Sequence, residues 1–169
     1  NTTAFVSGTE ITNIAAEPFY QWFVMIGGSG ATLGLAILFA FKARSAYGKA
    51  LGKTALIPSI FNINEPMIFG APIVLNPRLI IPFIIAPLLN SLIAWIATSM
   101  GLVNRVVASS PWTLPGPIGA FLACGNDWRA AVLNVLLIIL SIIVYYPFFR
   151  MYDNGLYKEE CQDVSVSEA

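Results

Sequence analysis

Three stretches of this chain, Pro18 to Phe41, Leu79 to Val103 and Ala130 to Phe149, contain no charged residue. A helix rises 1.5 Å per residue, so about 20 apolar residues cover the roughly 30 Å of a bilayer's hydrocarbon core. Each stretch is long enough, and each is predicted to be a transmembrane helix. The first contains "GGSG" at 27–30, and clustered glycines predict a break or kink there. The second contains Pro82 and Pro87, which a membrane helix tolerates when neighbours satisfy the freed carbonyls. The third ends in the aromatic cluster "YYPFF", suited to a membrane interface.

The rest of the composition agrees with this reading. Of 169 residues, 57% are hydrophobic and 11% charged, where soluble domains carry about 25% charged residues. The net charge is zero, which argues against nucleic acid as a partner. There is no histidine, and Cys124 and Cys161 have no second cysteine at metal or redox spacing; both are expected to be free thiols, with no metal and no cofactor. The chain begins at Asn1 without a basic, leader-like segment and reads as part of a longer subunit.

Two further segments are apolar but broken. Residues 54–77 hold Pro58, Pro66, Pro72 and Pro77, and residues 109–125, "SSPWTLPGPIGAFLACG", hold three prolines and three glycines. Each proline removes a donor and clashes with the preceding turn. Backbone broken at membrane depth persists only when packed against protein or lining a watery cavity, so both segments are expected to be re-entrant hairpins rather than surface loops. The fold class is therefore an all-α membrane protein of transmembrane helices with two re-entrant hairpins. Residues 42–53, with Lys42, Arg44, Lys49 and Lys53 and no acid, are expected on the cytoplasmic side. Residues 1–152 form the transmembrane domain on this reading, and 153–169 a polar, acidic cytoplasmic tail expected to be disordered.

One charge stands out against this background. In "NINEPMIFGAP", 62–72, Glu65 is the only acid between Glu17 and Asp127. An ionised side chain at the bilayer centre costs at least about 2.5 kcal/mol, which makes an intramembrane acid a functional candidate. Pro66 biases Glu65 away from the helical region, predicting a non-helical tip where the carboxylate and the amides of Asn62 and Asn64 face one spot. Such a tip suits a sugar, whose hydroxyls donate to a carboxylate. Trp112, just before a Pro-Gly-Pro break, can offer its indole to the apolar face of a pyranose ring. The plainer alternatives are that Glu65 pairs with Lys53 or Arg78 near the lipid headgroups and that Trp112 belongs to an interfacial aromatic belt.

The segments "FNINEPMIFGAPIVLNP", "FYQWFVMIGGSGATLGLAILF" and "PWTLPGPIGAFLACG" together resemble the membrane-spanning enzyme IIC component of the bacterial phosphoenolpyruvate-dependent sugar phosphotransferase system, in its lactose, cellobiose and diacetylchitobiose branch. The likeness covers about residues 18–152. It implies a multi-pass protein of the bacterial inner membrane, a homodimer through an N-terminal bundle lying upstream, and a C-terminal substrate domain to which this chain corresponds. It also implies that Glu65 binds sugar hydroxyls near the one to be phosphorylated, with Asn64 and Trp112 as further contacts. The partners implied are a disaccharide, membrane lipid and a phosphorylated cytosolic subunit of the same system. Family members rely on a histidine near the sugar, which is expected upstream of residue 1.

From the residues alone a rival remains open, a secondary transporter in which Glu65 is a proton-coupling acid. A purely structural subunit would explain the hydrophobicity but not the charge.

Overall fold

The computed structural model describes residues 1–167, with side chains to residue 163, and among these the chain is helical with no strand. In chain order the helices are α1 (Thr2–Ser7), α2 (Glu17–Phe19), α3 (Leu33–Lys42), α4 (Ala46–Ile60), α5 (Glu65–Gly70), α6 (Pro77–Ser99), α7 (Gly116–Ala123) and α8 (Trp128–Ser167). Helices α6 and α8 are long and apolar enough to cross a membrane, as the sequence predicts for these regions. Only 28% and 33% of their apolar windows are buried inside the chain, so α6 turns outward a face that includes Ile84, Leu88 and Leu92. Pro82 and Pro87 lie inside α6 without ending it.

The first predicted span is broken where expected. Its two halves, Glu17–Ala31 and Leu33–Lys42, are bent by 55°. Gly27, Gly28 and Gly30 carry φ of 74°, 95° and 79°, conformations that residues with a Cβ rarely adopt. The break separates two apolar cores. Phe19, Trp22, Phe23, Leu133 and Leu137 pack on one side of it, and Leu35, Phe39, Met67, Leu79 and Phe149 on the other.

A break in apolar surroundings leaves backbone groups that must be paired within the protein. Here side chains from the break itself, the turn between α4 and α5, and α8 do so. Asn134 Nδ2 donates to the Trp22 carbonyl at 2.5 Å, and Thr32 Oγ1 to the Gly27 carbonyl at 2.9 Å. Asn64 Nδ2 donates to the Ser29 carbonyl at 2.8 Å, and the Tyr145 hydroxyl to the Gly30 carbonyl at 2.7 Å. The Gly27 N–H donates to Asn62 Oδ1 at 2.9 Å.

The two proline-rich segments both reverse the chain. Helix α4 starts beside α8, where the Asp153 carboxylate accepts from the Arg44 N–H at 2.8 Å and the Ser45 hydroxyl at 2.7 Å. The chain returns to the same place, where Arg78 Nη1 donates to the Met151 carbonyl at 3.3 Å. Between these anchors α4 carries it about 22 Å away over 15 residues. The second reversal leaves at Asn104 and comes back at Asp127, whose carboxylate accepts from the Asn104 N–H at 2.9 Å. Within it, the Val107 N–H donates to the Ala123 carbonyl at 2.8 Å, and the Ser110 hydroxyl to the Gly119 carbonyl at 3.2 Å.

Three local expectations are corrected. Residues 54–60, assigned to a broken hairpin, continue α4 through Pro58, which takes one N–H from the ladder without ending the helix. Glu65 is not on a non-helical tip but opens α5, because Pro66 occupies a first-turn position whose N–H has no intrahelical acceptor anyway. The tail, expected to be disordered, is helical through Ser167 as the end of α8; residues 168 and 169 lie outside the described residues. Its carboxylates are the reason. Asp153 is 2% exposed against the start of α4, and Glu160 accepts from the Ala46 and Tyr47 N–H groups at 2.9 and 3.0 Å. These acids satisfy the orphan donors of a helix N-terminus and oppose its positive dipole end.

Candidate functional site

The tips of the two reversals meet. Asn62, at the end of the α4 turn and with φ of 62°, donates its side-chain nitrogen to the Trp112 carbonyl at 2.7 Å and the Leu114 carbonyl at 3.0 Å. Its oxygen accepts from Gly27, so one amide joins both reversals to the broken span. Asn64 makes a parallel tie: besides Ser29 it donates to Thr32 Oγ1 at 3.0 Å. It lies against Gly28, where a Cβ would come within 2.4 Å of its Cγ. That contact requires glycine at position 28.

Around this junction lies a cavity of about 500 Å³ lined by Glu17, Tyr20, Gln21, Met25, Gly28, Ser29, Asn62, Asn64, Glu65 and Trp112. Small-molecule sites fall in a range of about 300–1,000 Å³. All four residues singled out from the sequence, Asn62, Asn64, Glu65 and Trp112, are on its wall. Their states differ. Asn64 is 7% exposed, and the nitrogens of both asparagines are engaged with protein carbonyls or hydroxyl. Trp112 is 58% exposed and presents its side chain to solvent.

Glu65 is exposed at this cavity and has no hydrogen bond or ion pair. Among the described residues the one ion pair joins Arg129 to Asp127 at 3.0 Å. Arg78 is engaged with α8 instead, so the expected alternative of a Glu65 pair with Lys53 or Arg78 does not occur. A carboxylate held at the mouth of a cavity without a cation keeps its acceptor capacity for a ligand.

The family model of the phosphotransferase system EIIC matches residues 1–87, just over half of the 169 residues. The chain belongs to the phosphotransferase system EIIC family. This EIIC chain is 47% identical over 161 residues to the lichenan permease IIC component of Bacillus subtilis (strain 168), covering 95% of the chain and 36% of that protein. It is 39% identical over 167 residues to the lactose-specific EIICB component of Streptococcus mutans, covering 96% of the chain and 29% of the relative. Among solved structures, the transporter ChbC, the IIC component from the N,N′-diacetylchitobiose-specific phosphotransferase system, superposes with a TM-score of 0.92 at 37% identity, over 95% of this chain and 37% of ChbC. The chain thus spans about a third of the length of the relatives it matches, and their names fall in the branch that the motifs suggested.

Several wall residues were not foreseen. Glu17, Tyr20, Gln21, Met25 and Ser29 come from the broken span, which the sequence marks only as a place for a kink. The usable signal was the glycine cluster itself, since backbone turned aside at membrane depth lines a cavity or packs on protein.

Proposed function

We propose that this chain is the substrate-binding part of the sugar-transporting membrane component of a phosphotransferase system, in the bacterial cell membrane. It binds a disaccharide of the cellobiose, lactose or diacetylchitobiose type and presents its 6-hydroxyl for phosphorylation during uptake. The observation that carries this reading is the unpaired Glu65 carboxylate on a cavity where two chain reversals and a broken span converge. A neutral polyol is a suitable guest: its hydroxyls donate to the carboxylate, and its C–H face packs on Trp112 without charge.

Both reversals are re-entrant on this reading. They start and end at opposite ends of the spans, with tips tied at Asn62, and so bring polar groups to membrane depth while their backbones stay paired. The end that carries Lys42, Arg44 and Arg150 faces the cytoplasm, together with the tail from residue 153. A homodimer forms through a bundle upstream of residue 1, and lipid covers the outward faces of α6 and α8.

The donor is a separate cytosolic subunit carrying phosphate on a cysteine thiolate. The sugar oxygen attacks phosphorus, the phosphorus–sulfur bond breaks, and the hydroxyl proton leaves to a base. Such a transfer depends chiefly on holding the acceptor in line. Glu65 holds the hydroxyl and is a carboxylate able to take its proton. Asn62 and Asn64 contribute to the substrate site mainly by fixing the loop that carries it.

Uptake by membrane vesicles tests the proposal. Dependence on phosphoenolpyruvate with accumulation of sugar phosphate is expected. Uptake driven by a pH gradient, with free sugar accumulating, would instead favour a proton-coupled transporter using Glu65.

A further inference from the structure

The cavity wall carries two carboxylates and no basic side chain. Glu65 is the first residue of α5 and Glu17 the first of α2, so the two acids reach one space from distant parts of the chain. Both are exposed, and neither carboxylate is held by a hydrogen bond or an ion pair. A compact cavity of about 500 Å³ is about 10 Å across, which matches the Debye length of about 10 Å at 0.1 M salt. A charged guest therefore feels both carboxylates wherever its charge sits, and needs to touch neither. Two uncompensated like charges facing one space also repel each other, and a cationic guest relieves that repulsion.

We infer that this cavity selects its guest by charge, with Glu17 as a specificity residue: a disaccharide bearing an ammonium group binds in preference to a neutral one, and one bearing phosphate is rejected. The inference rests on the proposed sugar site. It gives a role to the second acid, which one hydroxyl acceptor at Glu65 leaves unexplained. It also bears on the end of the reaction. A phosphate monoester carries about −1.5 to −2 charges at pH 7, where the substrate had a neutral hydroxyl. The wall that accepts the sugar thus repels its phosphorylated product, and Glu17 adds to the drive for release.

The test uses the full-length protein in lipid and three β-1,4-linked disaccharides: cellobiose, cellobiose 6-phosphate and the disaccharide of glucosamine. Binding is measured at about pH 6, where the amine is largely protonated. In the parent, affinity is expected to fall in the order amine, neutral, phosphate. In Glu17→Gln, with each value taken relative to cellobiose in the same protein, the amino sugar should lose about threefold and the phosphate gain at least about as much. Glu17→Asp, which keeps the charge, should keep the parent's ratios. Raising salt from about 0.05 M to about 0.5 M should narrow the parent's differences. A lost side chain that merely loosened the cavity would move both charged sugars the same way, and that result overturns the assignment. So do ratios that Glu17→Gln leaves unmoved. Glu65→Gln measured alongside separates the two claims. If cellobiose binding depends on Glu65 while the ratios ignore Glu17, the sugar site stands and the role of Glu17 falls; if the parent binds none of the three sugars, the sugar site falls and this inference with it.

Discussion

Asn62 donates to the carbonyl of Trp112 at 2.7 Å across 50 positions of sequence, and this bond ties the tips of two separate chain reversals. The same side chain also holds Leu114 and Gly27, so three segments depend on one amide. Asn62→Ala removes three hydrogen bonds and leaves a side chain with a Cβ at φ of 62°. At about 1 kcal/mol per bond a loss of about 3 kcal/mol is expected, read as a lower unfolding midpoint in detergent. A midpoint within a degree of the parent's would show that the junction is not held by this residue.

Glu65→Gln should behave in the opposite way. The carboxylate has no protein partner, so the fold should keep its stability within about 0.5 kcal/mol. Sugar binding or phosphorylation should nevertheless fall by at least about tenfold, the loss expected for one charge-assisted hydrogen bond. Thermal unfolding and equilibrium sugar binding on the same preparation check both halves. A variant that binds and phosphorylates normally removes Glu65 from the mechanism.

Gly28→Ala is expected to damage the site without touching a polar group. Its φ of 95° and a Cβ 2.4 Å from Asn64 Cγ force Asn64 away from Ser29 and Thr32. A destabilisation of about 2–4 kcal/mol should accompany weaker sugar binding. Asn64→Ala, which clears the clash but loses the ties, should recover little when combined with Gly28→Ala, and a double-mutant cycle measures that coupling.

Asp153 should matter more than its place in a polar tail suggests. It is buried and accepts from the Arg44 N–H, the Ser45 N–H and the Ser45 hydroxyl. Asp153→Ala strands those donors and is expected to cost about 3 kcal/mol. Hydrogen exchange at residues 44–48 should rise in step. Glu160→Gln, at a more open position, should have a smaller effect of the same sign.

Acid should loosen the end of the molecule where Asp127 sits. Burial by itself pushes this carboxyl's pKa up, but the Asn104 N–H, the Arg129 guanidinium and the Arg129 N–H outweigh it and hold it below the ordinary 3.8. A carboxyl with a depressed folded pKa contributes stability that is complete above its unfolded value and is lost as pH falls through the folded one. The unfolding midpoint should therefore decline more steeply below about pH 4 in the parent than in Asp127→Asn. Parallel acid limbs in the two proteins would count against this contribution.

The candidate site was partly legible. An isolated Glu65 flanked by amides, and Trp112 beside a Pro-Gly-Pro break, are local features, and both reach the same cavity. The asparagines were legible as polar groups but not as ties, because their partners lie 32 to 52 positions away. Proline positions misled at Pro66, because in a first turn the lost N–H has no intrahelical acceptor, and at Pro58, because a helix can carry the loss of one ladder donor without ending.

Charge scarcity and run length alone determined that the chain is a helical membrane protein with its first span broken at Gly27–Gly30, for hydrocarbon admits few other solutions. What only the tertiary structure decided is where the broken backbone finds its partners, that the acidic tail becomes the cap of α4, and that two reversals close on each other through Asn62. The physical reason is range. Hydropathy and backbone preference act within a few residues, whereas a hydrogen bond between positions 62 and 112, or 45 and 153, exists only after packing has brought its ends together.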